Sequence, residues 1–174
     1  MLLIFGGLPA SGKSTISKRV AQELSGVYIR VDTIEQTLRD SGLGNIYSEG
    51  YEIAYKIAAE NLSLGMPVVA DSVNSVGITR DAWRLIAETA NVPFLEIEII
   101  CSDQEEHKRR VETRSVDVDQ SARVSWVDVL TRDYEPWLRA HVVIDTAGVS
   151  PGQSFDTLAE IIAKMPRQGR IGAW

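Results

Sequence analysis

Cysteine is almost missing from this 174-residue chain: Cys101 stands alone. One cysteine excludes an internal disulfide framework and fits a reducing compartment. Histidine is nearly as scarce, with 2 residues, and neither His107 nor His141 has a Cys or His at metal-ligand spacing, which argues against a zinc site. A basic excess is also lacking. The 18 Lys and Arg face 24 Asp and Glu, a formal net charge of −6, so nucleic acid is disfavoured as a dedicated partner. No apolar run approaches bilayer length, because the longest, 94–101, is broken by Glu96 and Glu98. The leading residues MLLIFGG have no basic region and too short an apolar stretch for a signal peptide. The expectation is a soluble, cytoplasmic protein with no membrane partner. There is no internal repeat, low-complexity tract or interdomain linker. At about 100–200 residues per domain, the length predicts one domain over 1–174, ending in a loose tail at 167–174. An apolar fraction of 44% and a charged fraction of 24% are ordinary globular values and exclude disorder and coiled coil.

What is present is alternation. The unbroken apolar run Leu2-Leu3-Ile4-Phe5 predicts a strand buried on both faces. Further strands are predicted at 27–31, 67–70, 94–101 and 142–144. Helices are predicted from the end of the Gly6–Gly12 turn to about Ser25, then over 33–40, 48–64, 79–90, 103–114, near 124–134, and over 154–164. Gly65 fits the cap of the third of these helices. Strands separated by helices imply βαβ units and a parallel sheet covered on both faces. Ligands of such sheets bind beyond the carboxyl ends of the strands, so Gly7–Ser14, Asp32, Asp71 and Ser102 are expected around one crevice.

Gly7-Leu8-Pro9-Ala10-Ser11-Gly12-Lys13-Ser14 matches G-x-x-x-x-G-K-[ST] between a strand and a helix. In such a loop the backbone amides wrap a phosphate, the helix presents its positive end, and the lysine neutralises charge. Gly7, Ala10, Ser11, Gly12, Lys13, Ser14 and Thr15 are therefore the candidate nucleotide-binding residues, and the Ser14 hydroxyl is a candidate Mg²⁺ ligand.

The segments GLPASGKST (7–15), VDTIEQTL (31–38), VVADSVN (68–74) and HKRRVETR (107–114) resemble the small P-loop kinases. The resemblance is closest to the AAA-type branch that includes chloramphenicol phosphotransferase-like and polynucleotide kinase-like enzymes. It implies an α/β three-layer P-loop NTPase fold with a five-stranded parallel sheet and a helical lid, here about 107–133. It also implies ATP as donor, Mg²⁺, and transfer of the γ-phosphate to a hydroxyl.

Phosphoryl transfer needs a carboxylate to orient the attacking hydroxyl and cations to neutralise the transferring group. Asp32, at a strand end, is the candidate carboxylate. The alternative is a helix N-cap, with Glu35 completing a capping-box spacing. Asp71 and Asp145 both end short apolar strands, so the pattern alone leaves the metal carboxylate open; the resemblance favours Asp71, beside the loop strand. Arg110 and Arg114 share one helix face at i, i+4, and the resemblance makes them lid arginines that clamp phosphates. Arg123 and Arg132 are weaker lid candidates, and a Glu106–Arg110 surface pair is the alternative use of that face. Asn74, at D-x-x-N spacing from Asp71, and Tyr51, in a Tyr47/Tyr51/Tyr55 stripe, are candidate substrate contacts. A turn role and core packing are the respective alternatives.

Missing motifs narrow the function. No D-G pair with a following Arg succeeds the third strand, glycine triplets of the shikimate kinase kind are lacking, and no N-K-x-D supports guanine specificity. The expectation is ATP-dependent phosphorylation of a small hydroxyl compound, such as a sugar, nucleoside or antibiotic-like alcohol. A kinase of nucleotides or nucleic-acid 5′-hydroxyls, and a nucleotide-binding switch without transfer, are the alternatives. Nothing in the pattern prescribes an oligomeric state. Lys13→Ala is expected to abolish nucleotide binding or turnover; wild-type ATP titration and kinetics in that variant would refute the cradle.

Overall fold

Five consecutive buried residues, LLIFG, form β1 (Leu2–Gly6), the central strand of the sheet, with helices packed on its two faces. The computed structural model of the chain describes residues 1–113 and 124–165. After β1 come α1 (Lys13–Glu23), β2 (Val27–Arg30), α2 (Val31–Asp40), α3 (Glu49–Ser63) and β3 (Val68–Asp71). Then follow α4 (Gly77–Thr89), β4 (Phe94–Ile100), α5 (Gln104–Thr113), α6 (Trp126–Leu130), β5 (Val142–Asp145) and α7 (Pro151–Ala163). The strands make one sheet in the order β2-β3-β1-β4-β5, and every pairing is parallel. The five-stranded parallel sheet expected from the alternation is present.

Side chains alternate across the sheet. Leu2 and Ile4 join Ala54, Ala58 and Leu62 of α3 and Trp83 and Ala87 of α4 in one core. Leu3 and Phe5 join Ile16 and Val20 of α1 and Phe155 and Leu158 of α7 in the other. The result is three layers, helix on sheet on helix. No described helix is long and apolar enough to cross a membrane.

Element ends depart from the sequence pattern where caps decide them. α7 begins at Pro151 rather than Ser154, because Ser150 and Gln153 form a capping box and Pro151 takes the first turn. α2 begins at Val31, two residues before the expected start, with Arg30 as its N-cap. Asp32 thus lies inside the first turn, and the N-cap role considered for it is not taken. Gly65, at φ +79, follows the Leu64 C-cap in the left-handed conformation expected of it. Of the expected lid, 107–113 and 124–133 are described; Arg114, Arg123 and the tail 167–174 lie outside the described residues.

The stretch after α6 is anchored to the β3–α4 turn. Glu135 donates its amide to the Ser75 carbonyl (2.8 Å), and its carboxylate accepts from the Gly77 amide and pairs with Arg80. Trp83 fills the centre of the α4 face, fully buried and edge-on to Tyr55 at 4.7 Å between ring centres. Trp83→Ala should lower unfolding stability by about 3–5 kcal/mol in a urea titration; a loss under about 1 kcal/mol would show that this face repacks.

Candidate functional site

The β1–α1 loop is built from backbone conformations that few residues tolerate. Gly7 sits at φ +140, and a Cβ there would lie 2.2 Å from the Ile99 carbonyl oxygen. Gly12, at φ +98, is the N-cap of α1 and offers no side-chain cap. The first amides of α1 consequently have no intrahelical acceptor and face the loop. Ala10 is left-handed as well, at φ +62, which costs an L-residue about 1–2 kcal/mol. These are the features of a cradle that wraps an anion with backbone N–H groups.

Lys13 opens α1 and is buried, with its Nζ 2.7 Å from Asp71 Oδ1. Asp71 ends β3, fully buried, and also accepts from Ser17 Oγ (3.2 Å) and the Tyr28 hydroxyl. Burial works against its charge. The Lys13 charge and the hydrogen bonds from Lys13, Tyr28 and Ser14 outweigh it and hold the carboxyl down at about 2. Burial and the adjacent Asp71 push Tyr28 up, so it remains a neutral donor. Ser14 and Asp71, the two candidate metal residues, thus lie on either side of Lys13, one next to it in α1 and the other paired with its Nζ.

A second set of contacts grips the loop from the other side. His107, buried in α5, meets the Pro9 carbonyl at 2.8 Å through Nε2 and packs edge-on against Trp126. Arg110 donates Nη1 to Thr146 Oγ1 (2.7 Å) and Nη2 to the Thr146 carbonyl (2.8 Å) and Glu106 (2.7 Å). Thr146 Oγ1 in turn donates to the Ser11 carbonyl at 2.8 Å. The expected Glu106–Arg110 pair exists, but it belongs to this network rather than to an open surface. Sequence reasoning missed Thr146 and His107: the first is an ordinary threonine after β5, and the second has its partner 98 positions away.

The loop opens on a cleft of about 1180 Å³. Ala10, Gly12, Lys13, Ser14 and Thr15 line one end together with Arg110 and Thr146, and Arg30, Asp32, Glu35, Tyr51, Ser75 and Arg132 line the remainder. Glu35 is half-buried; desolvation pushes its carboxyl up against the opposing charge of Arg39. Lys13, Asp32, Arg110 and Tyr51, expected at the site, thus meet on one cavity.

Other expectations change. Asp71 forms the floor beneath Lys13 instead of the wall. Ser102 is exposed, its amide held by Asp145 Oδ1 at 3.1 Å. Asp145 also accepts from the Ala147 amide; it locks its own turn and does not line the cleft. Asn74 is buried at φ +50, with Nδ2 donating to the Phe5 carbonyl (2.8 Å) and its amide donating to the Tyr51 hydroxyl (3.2 Å). It shapes the turn and is turned away from the cavity. Tyr47 is exposed, and Tyr55 packs on Trp83, so of the stripe only Tyr51 reaches the cleft. Cys101 is a buried free thiol, as its setting suggested. Among the described residues, no three His, Cys, Asp or Glu gather as a metal cluster.

Residues 2–136 match the AAA domain family AAA_33. The chain belongs to this family. No curated protein sequence matches it. As an AAA_33 domain it has the fold of the small P-loop kinases. The APS kinase CysC of Mycobacterium tuberculosis, solved with AMPPNP and APS, superposes with a TM-score of 0.72 at 16% identity over 94% of this chain and 97% of that one. A gluconokinase of Sinorhizobium meliloti gives 0.61 at 17% identity, covering 92% and 94%. Kti12 of Chaetomium thermophilum, in complex with ADP-AlF3, gives 0.63 at 21% identity, covering 92% and 98%.

Because the Asp71 carboxyl is depressed to about 2 from 3.8, the stability it contributes is complete above about pH 4 and is lost as pH falls toward 2. Urea midpoints measured between pH 6 and 2 should therefore fall more steeply for the wild type than for Asp71→Asn. Parallel curves would mean that the pair contributes nothing to folding.

Proposed function

We propose that the protein is an ATP-dependent phosphotransferase that moves the γ-phosphate of ATP to a hydroxyl of a small molecule. One observation carries the reading: Lys13 on the strained loop and Asp32 at the start of α2 open on the same cleft. Its volume, about 1180 Å³, exceeds the roughly 300–1,000 Å³ of a typical single-ligand pocket, which supports a nucleotide and a second substrate side by side. The fold neighbours include an APS kinase and a gluconokinase, and both names support transfer chemistry on this scaffold.

The loop amides and Lys13 hold the β- and γ-phosphates, Lys13 exchanging Asp71 for phosphate oxygens. Ser14 and Asp71 are the residues that would hold Mg²⁺, directly and through water. Bound there, the ion neutralises charge on the phosphate oxygens. Asp32 orients the acceptor hydroxyl and takes its proton as the new O–P bond forms and the β–γ bridge breaks, releasing ADP. Arg110 offsets the charge that develops on the transferring group, and Arg114, four residues further along the sequence, is proposed as its companion. Tyr51 offers its hydroxyl at the acceptor end, whereas Asn74 acts by shaping the adjoining turn. Closing the cleft over the substrates would exclude water and limit ATP hydrolysis.

Asp32→Asn tests this assignment. With labelled ATP, Mg²⁺ and a panel of sugars, nucleosides and other alcohols, the variant should lose transfer by about 10²–10⁴-fold. Its ATP affinity, measured by titration calorimetry, should stay within about twofold. Undiminished transfer would reduce Asp32 to an acid favouring the helix dipole.

A further inference from the structure

We propose that the acceptor carries an anionic group, a carboxylate or phosphate, beside its reacting hydroxyl, and that Arg30 binds that group. The inference rests on the phosphotransfer reading and names its substrate class. Arg30 closes β2, caps α2 and lines the cleft two residues before Asp32. Its side chain is only 11% exposed, and among the described residues the one ion pair it makes is a 3.5 Å contact with Asp32. Its Nε is buried without any hydrogen-bond partner. A guanidinium stays charged at every accessible pH and presents five donors, so burying it with one long contact is costly unless a ligand completes it.

Three other cleft cations are better matched, and Arg132, which also lines the cleft, is exposed to water rather than buried. Lys13 has Asp71 at 2.7 Å, Arg39 has Glu35 at 3.2 Å, and Arg110 has Glu106 at 2.7 Å together with Thr146. The neighbouring carboxylates are engaged too: Glu35 by Arg39, and Asp40 by the Gln36 amide at 2.8 Å. The buried polar atom left without a partner beside Asp32 is therefore a donor, Arg30 Nε. α2 adds to it, because Arg30 as N-cap makes no side-chain cap bond, leaving first-turn amides open toward the same end. An anion that presents two oxygens side by side, as a carboxylate or a phosphate does, suits the forked guanidinium.

The arrangement also discriminates through catalysis. A bound anion would draw Arg30 away from Asp32 and leave that carboxylate for the hydroxyl. A neutral alcohol would leave the two tied together.

Two measurements test this. In ¹⁵N-labelled protein saturated with Mg²⁺ and AMPPNP, which fills the phosphate loop, sulfate is titrated against chloride of equal ionic strength. The Arg30 Nε–H resonance, assigned by its loss in Arg30→Gln, should shift saturably with sulfate alone. An unchanged or non-saturating resonance would overturn the site. Matched acceptors are then compared: gluconate with gluconamide, and glycerol 3-phosphate with glycerol. Charged members should exceed neutral ones in kcat/KM by about 10- to 100-fold. Arg30→Gln should erase that ratio while KM for ATP stays within about twofold, and Arg30→Lys should restore part of it. Equal use of neutral and charged acceptors, or a raised KM for ATP in Arg30→Gln, would overturn the proposal and, in the second case, assign Arg30 to the donor. No labelled acceptor of either kind, with the sulfate shift intact, would instead overturn phosphotransfer and leave an anion site without that role. The titration itself is read on the wild-type protein, and the assignment holds only where the other arginine Nε–H resonances persist in Arg30→Gln, which also reports that the variant is folded.

Discussion

The buried pair between Lys13 and Asp71 ties the phosphate loop to the sheet. Asp71 sits in register with Phe5 of β1 on one side and Arg30 of β2 on the other, so its carboxylate marks the point where loop and central strands meet. Two charges can occupy so dry a position only because each satisfies the other and Ser17 and Tyr28 fill the remaining acceptor capacity. Removing one partner would leave an uncompensated charge in the core. The same economy keeps Lys13 extended toward the loop, where a phosphate can compete for it.

Around that pair, the molecule grips the loop twice. α1 holds it from below through Lys13. α5 and the β5–α7 turn hold it from the side through His107, Arg110 and Thr146. Two of these three contacts end on loop carbonyls, those of Pro9 and Ser11. Fixing carbonyls fixes the opposite faces of their peptide units, and so presents amides to the cavity. Arg110 thus belongs to the network that shapes the cradle.

Much of this was legible in the sequence. The P-loop pattern is local and needs its residue types at fixed spacing, and the short apolar runs reveal buried parallel strands. Asp32 was visible at a strand end, and Arg110 stood out through the family resemblance more than through its helix face. What stayed hidden depends on contacts across the sheet. Asn74 looked like a ligand contact by spacing, yet its side chain satisfies Phe5. Asp145 and Asp71 end similar strands, and only three-dimensional placement separates a turn lock from the partner of Lys13. Arg30 carried no signal at all, because nothing in a sequence states which donors a fold leaves unfilled.

The anchor at Glu135 has an evolutionary consequence. It fastens the stretch that follows α6 to Ser75 and Gly77, in the same turn that lends Val73 and Ser75 to the lining of the cleft. Descendants that lengthen or reshape this turn must also move the footing of the stretch that follows α6. The shape of the cleft at this turn and the placing of that stretch are therefore inherited together, and diversification in this lineage should proceed by paired changes in the two segments.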